Sequence, residues 1–164
     1  MKLQLNIDTS EDGDPQSPVS LDAVASLERV LGEELVSLYP DAARYAQAEV
    51  SVSFLDEEEM REINKNHRGV DEVTDVLSFP LWEDEGRFAP EAIAGFFLLG
   101  DILICPEEVR RGSLPYPEAL CLLLAHGFLH LLAWDHDTPE KERAMWERQE
   151  LLKSRLLPAF GEGY

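Results

Sequence analysis

The sequence predicts an α+β (mixed α/β) fold, built as one domain over residues 1–164. Two patterns indicate this class. Four strand-like segments are interspersed with helical segments without strict alternation, and one helix in the second half is apolar nearly all round. The length is that of one ordinary domain, and neither an internal repeat nor a linker divides the chain.

The N-terminal elements are predicted from alternation and capping. Residues 2–7 alternate polar and apolar side chains, which is typical of a strand, and a polar loop over 9–18 follows. Ser20 is suited to cap a helix that begins near Leu21. This helix must end before Pro40, because the residue that precedes a proline disfavours helical backbone.

The middle of the chain predicts two further strands around a helix. Residues 48–55 alternate again and form the second strand-like segment. Asp56 followed by Glu59 is a capping-box pattern, so a helix is expected over 57–66. Residues 75–81 are predicted as the third strand.

The last elements are distinguished by their apolar content. Residues 83–95 are acidic, contain Gly and Pro, and predict a surface loop. The continuous apolar run 96–104 is typical of a buried strand. A short helix is expected over 106–111, a buried helix over 117–133, and a final helix from Pro139.

Composition narrows the possible functions. The formal net charge is −19, from 33 acidic and 14 basic residues, and it opposes non-specific binding to nucleic acid. The first residues lack the apolar region of a signal peptide, and no apolar stretch reaches the ~18 residues that span a bilayer. Cys105 and Cys121 lie in apolar runs, which favours buried structural thiols. We therefore expect a cytoplasmic protein without a membrane partner.

Three histidines, His126, His130 and His136, lie within one short segment. The first two are four residues apart on a predicted helix, so their rings project from the same face about one turn apart. The third follows after the helix can have turned. Three neutral imidazoles hold zinc at about 2.0–2.1 Å and leave a fourth position for water, which is typical of a catalytic site. The spacing predicts one Zn²⁺ per chain, used for hydrolysis.

The alternative is that these histidines are ordinary core or surface residues. Unsatisfied imidazoles in an apolar helix would each cost about 1–3 kcal/mol, and a shared metal ion removes this cost. Asp135 and Asp137 flank the third histidine. One of them, Asp135 being the candidate, could orient an imidazole, and simple turn chemistry is an equally good interpretation of both.

The spacing matches part of the metzincin pattern H-E-x-x-H-x-x-G-x-x-H. Gly127 stands where the general-base glutamate is required, and Ala133 stands where the turn glycine is expected. Without the glutamate a peptidase lacks its proton acceptor. Gly127 is expected instead to leave open space beside the metal.

Three ordered sequence blocks resemble the YbeY family of bacterial endoribonucleases and ribosomal RNA maturation factors. Residues 126–136 are similar to its pattern H-G-x-L-H-L-x-G-Y-D-H, although Ala133 and Trp134 replace Gly and Tyr. The segment 64–80, NKNHRGVDEVTDVLSFP, is similar to a second family block, and 99–102, LGDI, to a third. If residue 133 needs a left-handed backbone, alanine there costs about 1 kcal/mol.

The resemblance implies a four-stranded mixed sheet flanked by helices, with the metal ligands on a central buried helix and the metal in a cleft. It also implies single-strand-specific RNA cleavage in late 3′-end maturation of small-subunit rRNA and in ribosome quality control. The implied partners are rRNA and the small ribosomal subunit, together with ribosomal proteins or an Era-type GTPase.

Arg68 matches the family's functional arginine, and it is expected to clamp a phosphate in two-pronged geometry. Its alternative is a surface ion pair with Asp71 or Asp75. Lys65 and His67 are candidates for contacts with the RNA backbone, although a solvated surface position is the simpler interpretation of each.

Two further acidic residues are expected to support the site. Asp75 is expected to fix the loop that carries Arg68. Asp101 follows Gly100 inside an apolar strand, where a carboxylate must find partners, and the metal-binding helix is a reasonable place for them.

Two other functions remain open. One is a metallohydrolase that acts on a different substrate, such as a peptide. The other is a non-catalytic ribosome-assembly factor in which the metal only holds the fold.

Overall fold

A computed structural model describes residues 1–9 and 19–161 of the chain. The predicted polar loop falls almost wholly on 10–18, outside the described residues. The strands in chain order are β1 (Lys2–Ile7), β2 (Gln47–Phe54), β3 (Val76–Pro80), β4 (Glu83–Asp84), β5 (Arg87–Phe88) and β6 (Phe96–Ile104).

Four of the strands form a mixed sheet in the order β1-β2-β6-β3. Strands β1 and β2 are parallel, as are β2 and β6, whereas β3 runs antiparallel to β6. The predicted four-stranded mixed sheet is therefore confirmed. The register between β2 and β6 shifts at Glu49 and Val50, where Leu98 and Gly100 are their respective partners.

In the described residues, five α-helices accompany the sheet, and a short 3-10 helix follows the first and the last of them. The α-helices are α1 (Leu21–Leu38), α2 (Glu57–Arg68), α3 (Pro106–Arg110), α4 (Tyr116–Leu131) and α5 (Pro139–Leu156), and the 3-10 helices are Pro40–Arg44 and Leu157–Phe160. None of the described helices is long and apolar enough to cross a lipid bilayer.

Two predicted helix starts are confirmed by their capping contacts. The hydroxyl of Ser20 accepts a hydrogen bond from the backbone N–H of Ala23. Asp56 and Glu59 form the full capping box, in which each side chain accepts a hydrogen bond from the other residue's backbone N–H. These contacts satisfy N–H groups that the first turn of a helix leaves unpaired.

The predicted surface loop over 83–95 contains a small hairpin in its first half, formed by β4 and β5, which the sequence analysis did not predict. Its two turn residues, Glu85 and Gly86, have φ of 49° and 76°. Positive φ at both central residues is the backbone of the short turn that joins twisted hairpin strands. The turn lacks the preferred Asn-Gly or Asp-Gly pair, so it was hard to predict from local sequence.

The sheet lies between α4 on one face and α2 on the other. Ser78 of β3 faces α4, whereas its neighbour Leu77 belongs to a small cluster with Met60 of α2 and Cys105. Neighbouring strand residues point to opposite faces, which places the two helices on opposite sides. Helix α5 packs against α4 and α1 on the larger core.

Both cysteines are free and buried, as predicted. Burial raises the pKa of the Cys121 thiol to about 12 and also raises that of Cys105. Such thiols remain protonated and unreactive at neutral pH.

Gly127 brings α4 close to the sheet. A Cβ atom at this position would lie 2.9 Å from Cγ2 of Ile102 and 3.1 Å from Oγ of Ser78. The expectation that Gly127 leaves open space beside the metal is therefore wrong, because β3 and β6 fill that space. The glycine fixes the depth at which α4 carries its histidines.

Candidate metal centre

The three histidines converge as predicted. Helix α4 presents His126 and His130 one turn apart, and their Nε2 atoms lie 3.0 Å from each other. The ring of His136 lies 5.8 Å and 5.3 Å from these two rings, measured between centroids. One ring nitrogen of each histidine falls within 4.8 Å of the others, so the three can hold one metal ion.

Two hydrogen bonds orient the rings on α4. Nδ1 of His130 lies 2.8 Å from the carbonyl oxygen of Trp134, and Nδ1 of His126 lies 2.8 Å from Oε1 of Gln149. Because both oxygens accept, each Nδ1 carries the proton in this arrangement and each Nε2 carries a lone pair. Two lone pairs that face each other at 3.0 Å are stabilised by a cation between them, which fits the chemistry of a metal site.

Electrostatics also favour the ligand form of His130. Burial lowers the pKa of its imidazole below the ordinary value, and the neighbouring His126 and His136 lower it further. The neutral ring is the form that binds metal. At neutral pH the imidazole of His130 is therefore already neutral and can bind a cation without first losing a proton.

A tight turn after α4 brings His136 back to the other two. The N–H of Trp134 donates to the carbonyl of Leu129, and the N–H of Ala133 donates to that of His130, both at 3.0 Å. This is a Schellman motif, which requires a left-handed residue. Ala133 occupies that position with φ of 65°, so the left-handed backbone on which the expected alanine strain depends is present.

The histidines lie in a cleft of about 1110 Å³ between α4 and its following turn, the end of α2, β3 and the β4–β5 hairpin. His67 and Arg68 line the same cleft, and the ring of His67 packs 4.4 Å from that of Phe79, measured between centroids. Lys65 is exposed and does not line the cleft. Of the six basic residues that the sequence predicted for the site, the cleft therefore contains all except Lys65.

Helix termination places Arg68 at the cleft. It is the last residue of α2, and Gly69 ends the helix in a left-handed conformation with φ of 71°. The amide of Asn64, only 2% exposed, donates to the carbonyl of Glu72 at 2.8 Å and anchors the loop that follows. In the part of the chain that the structure describes, Arg68 forms no ion pair with Asp71 or Asp75.

The three supporting acidic residues have different environments. Asp75 lines the cleft, and its backbone carbonyl accepts a hydrogen bond from the N–H of Cys105 at 2.9 Å. The carboxylate of Asp135 accepts from the backbone N–H of His136 at 2.7 Å, so its contacts support the turn interpretation. Asp101 is exposed, and the expectation that it needs partners on the metal-binding helix is wrong, because alternation places it on the face of β6 that points away from α4.

Acidic side chains outnumber fixed cations around the cleft. The carboxylates are Asp75, Glu83, Glu85, Asp135 and Asp137, and the cations are Arg68 and Lys141. Lys141 forms an ion pair with Asp137 at 3.1 Å, which also lowers the pKa of that carboxyl. Arg68 is therefore the cation best placed to meet an anionic ligand.

Comparison with known proteins assigns the family. The profile described as Endoribonuclease YbeY matches residues 17–156 of this chain. The chain belongs to the YbeY family. This confirms the resemblance that the three sequence blocks indicated, and it extends the match through α1 and α5.

Individual YbeY proteins are similar over most of their length. Endoribonuclease YbeY of Shouchella clausii is 38% identical over 148 residues, which cover 81% of this chain and 90% of that protein. The protein of the same name from Geobacillus thermodenitrificans is 38% identical over 150 residues, covering 87% and 92%. That of Acetivibrio thermocellus is 44% identical over 119 residues, covering 65% and 72%.

Sequence analysis of this YbeY chain missed Gln149. A usable signal existed, because Met145, Gln149, Leu152 and Leu156 are spaced by four, three and four residues along α5. This spacing forms one stripe of an amphipathic helix, and the other three residues are buried. A polar residue within a core stripe must find a partner, which here is His126.

Proposed function

We propose that this chain is a zinc-dependent endoribonuclease that cleaves single-stranded RNA, with one zinc ion held by His126, His130 and His136. The observation that carries the proposal is the pair of Nε2 atoms facing each other in a cleft that Arg68 also lines. Metal-dependent hydrolysis of a phosphodiester requires residues that hold the metal and a group that binds the phosphate, and both line this one cleft.

The residues of the chain divide the work between them. Zinc, when bound, supplies Lewis acidity and activates water at neutral pH. The hydrogen bonds from Nδ1 of His126 and of His130 hold the ligand rings in place. Arg68 binds the non-bridging phosphate oxygens through its planar guanidinium and stabilises the charge that develops on them.

The basic end of α2 guides the substrate in this proposal. His67 lines the cleft beside Arg68 and can contact the adjacent phosphate or its ribose. Lys65, exposed outside the cleft, contacts the RNA backbone further along the strand. The acidic lining opposes entry of a densely charged duplex, which favours a single strand with its lower charge density.

The biological substrate that we infer from the family is precursor rRNA on the small ribosomal subunit. In this proposal the chain, as one domain over 1–164, works in the cytoplasm, matures the 3′ end of small-subunit rRNA and takes part in ribosome quality control. Ribosomal proteins or an Era-type GTPase bring it to that substrate.

A peptidase function has less support. The general-base glutamate of that mechanism is replaced by Gly127. Even a methyl group at this position would lie 2.9 Å from Ile102, so the position cannot provide a base to the cleft. Peptide substrates therefore serve best as a control.

The experiment compares metal-loaded, chelated and reloaded protein on single-stranded RNA, duplex RNA and a peptide library. We expect cleavage of single-stranded RNA alone, its loss on chelation and its return with zinc. Peptide cleavage without RNA cleavage would overturn the proposal. So would a His126→Ala variant that folds, lacks metal and still processes precursor rRNA fully, because an assembly factor would behave in that way.

A further inference from the structure

Helix α5 connects α1 to the metal-binding helix. Gln149 on its inner face meets His126, and the residue before it, Arg148, meets α1. None of these contacts is local in sequence, since 23 residues separate Gln149 from His126 and 114 separate Arg148 from Glu34. The position of one imidazole therefore depends on how α5 sits against two other helices.

An ion-pair clamp, consisting of Glu34, Arg148 and Arg155, fixes α5 against α1. The carboxylate of Glu34 is 0% exposed and accepts hydrogen bonds from Nε of Arg148 and, at 2.9 Å, from Nη1 of Arg155. Arg148 also donates to Ser37 at 3.2 Å, and Arg155 to Glu33 at 2.7 Å. A buried carboxylate held by two planar guanidinium groups has a narrowly defined geometry.

The Gln149 amide determines which nitrogen of His126 is available. With Oε1 toward Nδ1, the imidazole carries its proton on Nδ1 and presents a lone pair at Nε2. With the amide turned over, Nδ1 would accept from the NH₂ group, and the proton on Nε2 would point at His130, 3.0 Å away. Only the first arrangement lets His126 bind a cation.

We propose that Gln149 is a positioning residue of the metal centre, and that the clamp of Glu34, Arg148 and Arg155 acts through it. The amide holds His126 in the tautomer that binds metal, and the clamp holds α5 at the rotation that keeps the amide in reach. This inference rests on the proposed three-histidine metal site. It states that residues outside the triad contribute to the affinity of that site for zinc.

The first test measures zinc affinity by competition with a chromophoric chelator. Gln149→Leu, similar in size but unable to accept a hydrogen bond, should raise the Kd about 10–100-fold. Gln149→Glu, which can only accept, should bind at least as tightly as the natural chain. Glu147→Leu, an exposed change on the same helix, is the matched control. Equal zinc affinity for Gln149→Leu and this control would overturn the proposal.

The second readout is spectroscopic. Nitrogen-15 NMR of the metal-free protein, labelled at histidine, should show the proton of His126 on Nδ1 in the natural chain and in Gln149→Glu. In metal-free Gln149→Leu the proton should shift toward Nε2, because no acceptor remains at Nδ1. An unchanged tautomer in that variant would contradict the role of the amide. A chain whose histidines bind no zinc at all would instead overturn the proposed function as well.

A double-mutant cycle tests the clamp. Arg155→Lys keeps the charge beside Glu34 and removes the two-pronged geometry. It should weaken zinc binding several-fold when Gln149 is present and have no further effect in Gln149→Leu. The same fold loss in both backgrounds would show that the clamp acts independently of Gln149 and would overturn this step.

Discussion

Arg61 and Asp71 form a two-pronged ion pair, with Nε to Oδ1 at 2.8 Å and Nη2 to Oδ2 at 3.2 Å. The pair joins α2 to the loop after it, and it raises the pKa of Arg61 and lowers that of Asp71. Because Asp71 is already engaged, Arg68 is left at the cleft without this competing partner. The arginine that the sequence block singled out is thereby available for substrate.

Arg68→Ala is expected to lower RNA cleavage about 10²-fold, because loss of one group that stabilises developing charge typically has this effect. Zinc content should remain at the natural level, since Arg68 is not among the ligands. Arg44→Ala removes another exposed arginine charge, one that does not line the cleft, and is the matched control. Parallel loss of zinc and activity in Arg68→Ala would mean that the residue supports the site instead.

Ala133→Gly is expected to stabilise the protein by about 1 kcal/mol, because glycine adopts the left-handed backbone at this position without strain. Urea unfolding of the metal-free chain measures the effect. Ala25→Gly, at an exposed position inside α1, is the control. It should lower the free energy of unfolding by about 1 kcal/mol, because glycine is unfavourable in a helix. A loss of stability in Ala133→Gly would show that its positive φ stores no strain.

Gly127→Ala is expected to destabilise the fold by about 1–3 kcal/mol, because the added methyl group overpacks the contact with Ile102 and Ser78. Zinc affinity should fall as well, since α4 must move outward with its histidines. Gly32→Ala in α1 is the control, because its Cβ would meet only Leu3, at 3.3 Å and on the edge strand. Equal stability of the two variants would contradict the close approach at Gly127.

Acid is expected to weaken the metal-free protein through His130. Burial first, and the neighbouring histidines next, hold its pKa below the ordinary value of 6.5. Below about pH 6.5 the unfolded chain therefore binds more protons than the folded chain, and the free energy of unfolding falls until the lowered pKa is reached. Urea unfolding between about pH 7.5 and 5.5 measures this slope.

The corresponding control is His130→Gln, which should flatten the pH dependence. A free energy of unfolding that rises as pH falls below 6.5 would contradict the lowered pKa of His130.

Local patterns predicted the elements of this fold well. The alternation in β1 and β2 and the capping box at Asp56 depend on neighbouring residues alone, so the sequence contains them directly. Neighbouring residues alone did not predict the hairpin at Glu85 and Gly86 or the shifted register at Val50. Positive φ at a glutamate and a bulge between strands are imposed by tertiary packing.

For the metal centre, too, the contacts within one element were predictable and those between elements were not. His126 and His130 share a helix face, and that spacing alone predicts their convergence. Gln149 contacts His126 from another helix, and Asp101 is exposed although its strand was predicted to be buried. Both outcomes depend on which faces pack together, which periodicity in a single element does not specify.

Anomalous diffraction from crystals of the zinc-loaded chain tests the metal centre most directly. We expect one zinc peak per chain at about 2.0–2.1 Å from one nitrogen of each of His126, His130 and His136, with Nε2 as the donor on the two α4 residues. Zinc bound elsewhere, or rings that turn apart and leave no room for an ion, would contradict the proposed enzyme.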